Sequence, residues 1–192
     1  DPKDVGRTYD SDVIRINSQS GRGGVSYVLK NSFGLILPDK MKEEVGYLMK
    51  NVSDHRHAEL SPEDMRDVFK ETYVDVDKKF DVSECHFKQK DGIGAEVTIV
   101  ADGKETVVDS HGNGRLNAVN HAIKKYFNLD YALDVYEEHS LSKRSDAQAI
   151  SYVGIKPAGQ EKLYWGAGTD DDIIKSSIDA LVNAVNRYME NK

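Results

Sequence analysis

Hydrophobic residues recur with a helical period in the first part of the chain. Between Gly21 and Val74 the apolar side chains stand three or four residues apart, in three runs separated by glycine, proline and polar stretches. Apolar residues at this spacing form one face of an amphipathic helix. We therefore predict a three-helix linker subdomain over residues 21–76, preceded by an extended linker over residues 1–20. Its inward-facing residues are predicted to be Val25, Val28, Leu29, Met41, Val45, Leu48, Met49, Val52, Met65, Val68, Phe69 and Thr72.

The third run has a well-marked helix start. Ser61 is a favourable N-cap residue, Pro62 suits the first helical position, and Asp64 follows the cap by three residues. The polar run before it, residues 53–59, is predicted to be a solvated loop that joins the second and third helices.

After Tyr73 the pattern changes from helical to alternating, which is typical of strands that bury one face. Three such strands and a helix are followed by three more strands and a second helix. We predict an α+β fold in which a second domain, residues 80–192, is a tandem βββα repeat with units at about 80–127 and 131–190. Each unit is expected to cover the apolar face of the other about a pseudo-twofold axis.

Local signals place the ends of these elements. The dipeptide Asp102-Gly103 predicts a tight hairpin between the second and third strands. The two long helices are predicted from about Arg115 to Phe127 and from about Asp170 to Met189. Their inward-facing residues are predicted to be Leu116, Val119, Ile123 and Phe127 in the first helix, and Ile174, Ile178, Leu181, Val182, Val185 and Met189 in the second.

Two glycine pairs stand near the predicted strand-to-helix junctions. Gly112 and Gly114 precede the first long helix, Gly166 and Gly168 precede the second, and we predict that Gly112 and Gly166 occupy equivalent places. Glycine permits a left-handed backbone or a close approach, and the free N–H groups of a helix start can bind a carboxylate or phosphate. A purely structural turn is the alternative interpretation.

The two helix starts differ in charge. Arg115 follows the first glycine pair, whereas Asp170, Asp171 and Asp172 follow the second. Carboxylates at a helix start satisfy its N–H groups and its dipole from within the chain. Only the first helix start is therefore predicted to be free for an external carboxylate.

Composition narrows the possible partners. The 192 residues carry a net charge of -7, with 33 acidic and 26 basic side chains, which argues against a general nucleic-acid binder and against binding to anionic membranes. No apolar run approaches the roughly 20 residues of a membrane span. Cys85 is the single cysteine, which excludes an internal disulfide and favours a reducing, cytoplasmic location. Because the chain begins Asp-Pro-Lys without a Met, we expect it to be a fragment of a longer polypeptide.

The candidate catalytic side chains form no recognisable motif. His55 and His57 would need further ligands to hold a metal, and His111, His121 and His139 are each open to a structural interpretation. The remaining candidates, Cys85 and Trp165, are predicted to be core residues. We predict no catalytic and no metal-binding residue, and we do not expect this chain to be an enzyme on its own.

Several segments carry a family resemblance when they are read in order. They are "INSQSGRGG", "SPEDMRDVFKETY", "GNG", "EHSL", "DAQAISYV" and "WGAGTDDDI". Together they closely resemble the C-terminal part of the 2-isopropylmalate synthase family in its longer form, and the similarity covers nearly the whole chain. The resemblance implies the last helical linker subdomain followed by a regulatory domain that binds leucine as feedback inhibitor and takes part in homodimer formation.

The resemblance also implies what lies outside this chain. The family's catalytic unit is an (α/β)₈ barrel with a divalent metal, Mg, Mn or Zn, which condenses acetyl-CoA with 2-oxoisovalerate in leucine biosynthesis. The chain's implied partners are therefore leucine or a similar amino acid, a second copy of the chain and the enzyme's own barrel. No cofactor is expected in this fragment, and we expect the fragment to be inactive alone.

Carried over position by position, the family's leucine site maps onto the first glycine pair and the strand after it. An amino acid also needs a partner for its ammonium group, for which Asp146 is a candidate, and a pocket for its apolar side chain. The predicted effector-binding residues are Gly112, Asn113, Gly114, Leu116, Asn117, Ala132, Tyr136, Ser140, Asp146 and Ala147.

Four positions depart from the family pattern. Arg115 stands where proline is usual, Asn117 where a small residue is usual, Ser140 where alanine is common and Ser145 where glycine is common. These changes make the predicted pocket fuller and more polar. Two alternatives follow: a dimerising module with an altered or lost effector response, or the regulatory domain of a related citramalate-type synthase that senses isoleucine.

Overall fold

The chain divides into two units, residues 1–72 and residues 73–192. The structure is a computed structural model that describes residues 22–141 and 148–192. The predicted linker over residues 1–20 lies outside the described residues.

The first unit contains three α-helices. They are α1 (Arg22–Phe33), α2 (Lys42–Arg56), which a 3₁₀ turn at Asp39–Met41 precedes, and α3 (Pro62–Phe69). A π-helical turn, Lys70–Val74, follows α3. Nine predicted inward-facing residues are buried: Val25, Val28, Leu29, Met41, Val45, Met49, Met65, Val68 and Phe69.

The start of α3 is a capping box. The Asp64 N–H donates to Ser61 Oγ at 3.1 Å, and the Ser61 N–H donates to Asp64 Oδ2 at 3.0 Å. Two otherwise unpaired backbone donors are satisfied in this way, as the sequence predicts.

The prediction of a loop over residues 53–59 is wrong for the first half of this range. Helix α2 continues to Arg56 and ends at His57, whose left-handed backbone (φ 52°) forms the C-cap. The buried Ser53 stabilises this ending, because its hydroxyl donates to the Ala58 carbonyl at 2.7 Å. The polar composition of this stretch reflects an exposed last helical turn rather than a loop.

We expect Ser61→Ala to lower the free energy of unfolding of the helical unit by about 1 kcal/mol, because it removes one half of the capping box. Urea unfolding followed by far-UV circular dichroism measures the change. Ser83→Ala, at an exposed serine of a strand, is the matched control and should stay within about 0.5 kcal/mol of the parent. Equal losses in both variants would contradict the role given to the cap.

The second unit contains two three-stranded antiparallel sheets, each followed by a helix. The first sheet has β1 (Phe80–Gln89), β2 (Ile93–Ala101) and β3 (Lys104–Gly112) in that order, and α4 (Arg115–Phe127) follows. The second has β4 (Tyr131–Ser140), β5 (Ala149–Pro157) and β6 (Tyr164–Asp170), and α5 (Ile173–Glu190) follows. The predicted α+β class and its tandem βββα units are confirmed.

The two repeats share one strand register. Phe80 pairs with Ala101 at the start of the first sheet, and Tyr131 pairs with Pro157 at the same place in the second. A register shift falls between Val82 and Glu84 in β1, and its counterpart falls between Leu133 and Val135 in β4. The matching register assigns each position of one repeat to a position of the other.

One hydrophobic core serves both repeats. Residues of the first sheet and α4 pack in the same buried cluster as residues of the second sheet and α5. Because both sheets and both helices contribute residues to this cluster, the two repeats share one core. Central members are Val97, Ile99, Val119, Ile123, Val153, Ile155, Leu181 and Val185.

The register contradicts the predicted equivalence of the two glycine pairs. Gly112 pairs with Ile93, and the residue in the same place of the second sheet is Asp170, which pairs with Ala149. Gly166 and Gly168 lie inside β6 rather than in a turn. The first repeat thus reaches its helix through Gly112, Asn113 and Gly114, and the second through Asp170, Asp171 and Asp172.

The glycines of β6 allow α5 to pack closely on its sheet. A Cβ atom at Gly166 would collide with the Ala180 carbonyl oxygen and the Ala184 nitrogen, both in the backbone of α5. A Cβ atom at Gly168 would collide with the Ser176 carbonyl oxygen. Close approach is therefore the structural reason for this pair.

Two buried asparagines of α5 hold the segment that leads into β1. Asn186 Oδ1 accepts from the Lys79 and Phe80 N–H groups at 2.8 and 3.2 Å, and its Nδ2 donates to the Phe80 carbonyl at 2.9 Å. Asn183 Nδ2 donates to the Val74 carbonyl at 2.9 Å. Because buried backbone groups need partners, these amides stabilise the segment from Val74 to the first residue of β1.

Candidate functional site

The start of α4 carries no side-chain cap within the described parts of the chain. Gly114 is the N-cap residue and has an ordinary extended backbone, with φ −153° and ψ 176°. A Cβ atom at Gly114 would meet nothing within 4 Å. Neither backbone conformation nor packing requires glycine here, so the space beside this helix start is available to another group.

Gly112 has a different role, because it lies against the helix. A Cβ atom at this position would stand 2.5 Å from Asn117 Oδ1 and 2.6 Å from the Ala118 nitrogen. Of the two reasons considered for glycine, a left-handed backbone applies at neither Gly112 nor Gly114, since φ is positive at neither. Close approach explains Gly112, as it explains the glycines of β6.

The Asn117 side chain occupies part of the predicted rim. Its Oδ1 accepts a hydrogen bond from the Asn113 N–H at 3.0 Å. Behind it, the Ser110 hydroxyl donates to the Ala118 carbonyl at 2.7 Å and fixes α4 on its sheet. One backbone donor beside the helix start is therefore already satisfied by the chain itself.

The start of α5 is capped from within, as predicted. Asp172 is the N-cap residue, and one of its carboxylate oxygens accepts from the Ile174 N–H at 2.9 Å. Asp170 accepts from the Asp172 N–H at 2.9 Å, and this bond, with Lys175 nearby, holds the pKa of Asp170 below its usual range. Three carboxylates at this end would repel an external anion.

The register shift in β4 divides the predicted strand residues between two faces. Tyr136 pairs with Val153, which belongs to the core on the α5 side of the sheet, and Ser140 pairs with Ala149 on the same side. Ala132 precedes the shift, pairs with Lys156 and points to the opposite face. The structure therefore places Tyr136 and Ser140 on the same face of the sheet and Ala132 on the other face.

Tyr136 belongs to a polar cluster on the α5 side of the second sheet. Its hydroxyl donates to Glu138 Oε2 at 2.7 Å, and burial together with Glu138 raises the pKa of Tyr136 to about 12. Below it, the buried Ser151 and Ser176 hydroxyls are 2.7 Å apart. We call Tyr136, Glu138, Ser151, Ser176 and Ser177 the polar cluster.

The same places in the first repeat are apolar. By the shared register, Cys85 and Phe87 of β1 correspond to Tyr136 and Glu138, and Ala95 corresponds to Ser151. In α4 the corresponding residues, Ala118 and Val119, are buried in the core. An apolar set therefore also satisfies this fold, although Tyr136 and Glu138 are exposed where Cys85 and Phe87 are half-buried.

A cavity of about 250 Å³ opens next to the polar cluster, at the end of β4 and the start of α5. It is smaller than the roughly 300 to 1,000 Å³ of pockets for drug-sized ligands, so its size suits an amino acid. Its described lining residues are Glu138, His139, Ser140, Ala149, Asp171 and Ile173.

The remaining candidates of the sequence take structural places or fall outside the description. His121 Nδ1 lies 2.7 Å from the His111 carbonyl oxygen, and Trp165 is buried. Cys85 is part-buried against the core, where burial and then Glu84 raise the pKa of its thiol to about 11. The predicted residues Asp146 and Ala147 lie outside the described residues.

Two general features hold for the described parts of the chain. Within residues 22–141 and 148–192, histidine, cysteine, aspartate and glutamate side chains form no group of three or more that could hold a metal ion. Among the helices that the structure describes, none has the length and apolar character needed to cross a membrane.

The sequence reasoning did not single out Glu138, Asp171 and Ile173, which line the cavity, or Ser151, which belongs to the polar cluster. The signal that could have found them is the change from apolar residues in the first repeat to polar residues in the second. This change becomes visible only when the two repeats are aligned by their strand register. Aligning them by their glycine pairs hides the change from Phe87 to Glu138.

The fold defines an α+β domain of two βββα repeats. Residues 59–189 match the model of the LeuA allosteric (dimerisation) domain, and residues 1–30 match that of the alpha-isopropylmalate synthase post-catalytic domain-like family. The chain belongs to the LeuA allosteric (dimerisation) domain family.

The chain is also similar to curated 2-isopropylmalate synthases over nearly its whole length. It is 42% identical to that of Desulfitobacterium hafniense, with 100% of this chain and 34% of the relative aligned. It is 42% identical to that of Helicobacter hepaticus, over 98% of this chain and 35% of the relative. The synthase of Mycobacterium ulcerans is 38% identical over 97% of this chain and 34% of its own length. The chain spans about a third of the length of these relatives and matches their C-terminal region.

Proposed function

We propose that this chain is the effector-binding and dimerising C-terminal region of a cytoplasmic 2-isopropylmalate synthase, with leucine as its allosteric feedback inhibitor. On this proposal the intact enzyme is an acyltransferase that condenses acetyl-CoA with 2-oxoisovalerate. The observation that carries it is the difference between the two helix starts, because α4 is left uncapped at Gly114 where α5 is capped by Asp172.

The chemistry of the α4 start suits the carboxylate of an amino acid. Unpaired N–H groups and the positive end of the helix dipole stabilise an anion there. Arg115 adds a positive charge at the first helical position, and its guanidinium lies 5.8 Å from the centre of the Phe87 ring. Gly114 leaves the approach open, since no neighbouring atom fills the place of its missing side chain.

The second repeat supplies complementary chemistry. The cavity beside the polar cluster combines carboxylates with Ala149 and the exposed Ile173, which is 46% accessible to solvent. An ammonium group and a small branched alkyl group both find suitable surroundings there. Leucine carries both an ammonium group and a branched alkyl group, and its carboxylate is the group that we propose for the start of α4.

Binding to the chain tests this proposal directly. Calorimetric titration of the 192-residue chain with leucine, isoleucine, valine and lysine should show the tightest binding for leucine. Inhibition of the intact enzyme by the same amino acids should follow the same order. Isoleucine as the tightest ligand would favour a citramalate-type response, and no binding together with an uninhibited enzyme would leave only a dimerising role.

The Asn117 side chain is expected to weaken binding, because it competes for the Asn113 N–H. We expect Asn117→Ala to release this donor and to tighten leucine binding by about 1 kcal/mol, roughly fivefold. Asn117→Asp keeps the acceptor and adds a negative charge beside the proposed carboxylate, so it should weaken binding instead. Calorimetry on the two variants measures both changes, and a shift in the same direction for both would contradict this role of Asn117.

A further inference from the structure

Side chains of α5 fasten the chain where it enters the second unit. Asn183 Nδ2 donates to the Val74 carbonyl at 2.9 Å, and the Arg187 guanidinium lies 4.6 Å from the centre of the Tyr73 ring. Both Tyr73 and Asn183 are buried. Asn186 fastens the other end of the same segment, at the first residue of β1. We call Asn183, Asn186 and Arg187 the clasp.

The clasp also joins this segment to β6. Asn183 Nδ2 donates a second hydrogen bond to the Ala167 carbonyl at 2.7 Å, and Arg187 Nη1 donates to the Trp165 carbonyl at 2.8 Å. Asn183 and Arg187 therefore each contact both the segment and a strand of the second sheet. Because buried hydrogen bonds are costly to leave unmade, we expect the segment, α5 and β6 to move together.

The first repeat lacks the length of helix from which the clasp is built. Helix α5 has 18 residues and α4 has 13, so Asn186 and Arg187 lie beyond the place that corresponds to the end of α4. Lys124 of α4 lies 5.3 Å from the centre of the Tyr131 ring, but Tyr131 begins β4 and belongs to the shared core. The clasp therefore holds the one end of the repeats at which the helical unit is attached, between residues 72 and 73.

Helix α5 extends from the clasp to the cavity beside the polar cluster. Its first residue, Ile173, lines that cavity, and an α-helix of 18 residues is about 27 Å long. A regular helix is stiff along its axis, so that a displacement at its start reaches its end. A ligand that binds better to one position of α5 than to another shifts the helix toward that position.

We propose that the clasp couples effector binding to the inhibition of the enzyme, because it moves the attachment point of the helical unit together with α5. This inference rests on the proposed function and names the residues that regulate through it. The clasp residues are not among the described lining residues of the cavity. They are positioning residues, and their loss should separate binding from inhibition.

Arg187→Met tests this coupling in the intact enzyme. It keeps an unbranched side chain and removes the hydrogen bond to Trp165 and the charge beside Tyr73. Calorimetric titration of the 192-residue variant with leucine should give the affinity of the parent chain. In the intact enzyme, the leucine concentration for half-maximal inhibition should rise about tenfold, within the range of typical couplings between sites. Arg187→Lys, which keeps the charge, should retain part of the inhibition.

Lys124→Met is the matched control, because it also replaces a cation that lies beside a buried tyrosine ring. It should bind leucine and be inhibited as the parent is. A second pair, Asn186→Ala and Asn120→Ala, removes one buried amide from each helix, since Asn120 Oδ1 accepts from the Tyr131 hydroxyl at 2.7 Å. Both variants should unfold at lower temperature, but only Asn186→Ala should lose inhibition.

Amide hydrogen exchange shows the clasp without any measurement of activity. The Lys79 and Phe80 N–H groups donate to Asn186 Oδ1 at 2.8 and 3.2 Å. Both should exchange slowly in the parent chain and faster in Asn186→Ala, whereas Asn120→Ala should leave them slow. Fast exchange of both groups in the parent chain would overturn the inference.

The outcomes separate this inference from the proposed function. If leucine binds to Arg187→Met and inhibits it as it does the parent, the inference fails and the proposed function stands. Loss of leucine binding in this variant, or an equal loss of inhibition in Lys124→Met, would also overturn the inference. If the parent chain binds no leucine and the intact enzyme is not inhibited, the proposed function fails and the inference fails with it.

Discussion

Gly114→Asp is expected to abolish most leucine binding without destabilising the domain. The new carboxylate would stand where Asp172 stands in the second repeat and would accept from the free N–H groups of α4. The proposed ligand would lose its charge-assisted hydrogen bonds and would meet a negative charge. We expect a loss of about 3 kcal/mol in binding free energy, roughly a hundredfold in affinity.

The same substitution should leave stability unchanged or slightly higher. An aspartate N-cap is as good as glycine or better by a few tenths of a kcal/mol, and its charge also interacts favourably with the helix dipole. Calorimetry measures the affinity and thermal unfolding measures the stability. A variant that unfolds earlier than the parent would make any loss of binding uninformative about the site.

Gly114→Ala is the control for this experiment. It adds a Cβ atom in a place where nothing lies within 4 Å, on a backbone that any residue adopts. It should therefore retain leucine binding and an unchanged fold. Leucine binding in Gly114→Asp at the level of Gly114→Ala would exclude the α4 start as the carboxylate site.

Gly166→Ala is expected to have the largest effect on stability. Its Cβ atom would collide with backbone atoms of Ala180 and Ala184, which cannot rotate away as a side chain can. Helix α5 would have to move off its sheet and lose contacts with the shared core. We expect the free energy of unfolding to fall by about 3 kcal/mol, as for a severe case of overpacking.

Gly94→Ala is the matched control, because Gly94 is also a glycine inside a strand. Its Cβ atom would meet only the Lys88 carbonyl oxygen, at an ordinary contact distance of 3.7 Å. We expect no loss of stability, and a gain of up to about 1 kcal/mol from reduced freedom of the unfolded chain. Urea unfolding of both variants measures the difference, and equal stabilities would contradict the close-approach role of Gly166.

The sequence predicts the elements of the second domain because their signals are local. Alternation in β2 and the helical stripe of α4 each depend on neighbours a few residues away, and both appear where predicted. The hairpin at Asp102-Gly103 also forms, with φ of 52° and 72° at the two residues. The self-capped start of α5 is equally local, since Asp172 caps the helix that begins at the next residue.

Local sequence signals predict only part of the candidate site. The α4 start follows from Gly114 and the absence of a capping side chain in the sequence, but the role of Asn117 depends on which way its amide turns. Tyr136 and Glu138 share a face with Ser151 only because a register shift precedes them. Counting alternate residues along β4 would place Ala132 with Tyr136, which is wrong for that reason.

The sequence by itself determined that three helices precede two βββα units, which faces of α4 and α5 are apolar, and that the two helix starts differ in charge. Only the tertiary structure decided that Gly166 corresponds to Val108 rather than to Gly112, since Gly166 pairs with Val153 and Val108 pairs with Val97. It also decided that Asn183 and Asn186 are buried partners of a distant segment. The physical reason is range: helix and strand periods are fixed by adjacent residues, whereas register, close approach and buried hydrogen bonds depend on which remote parts of the chain meet.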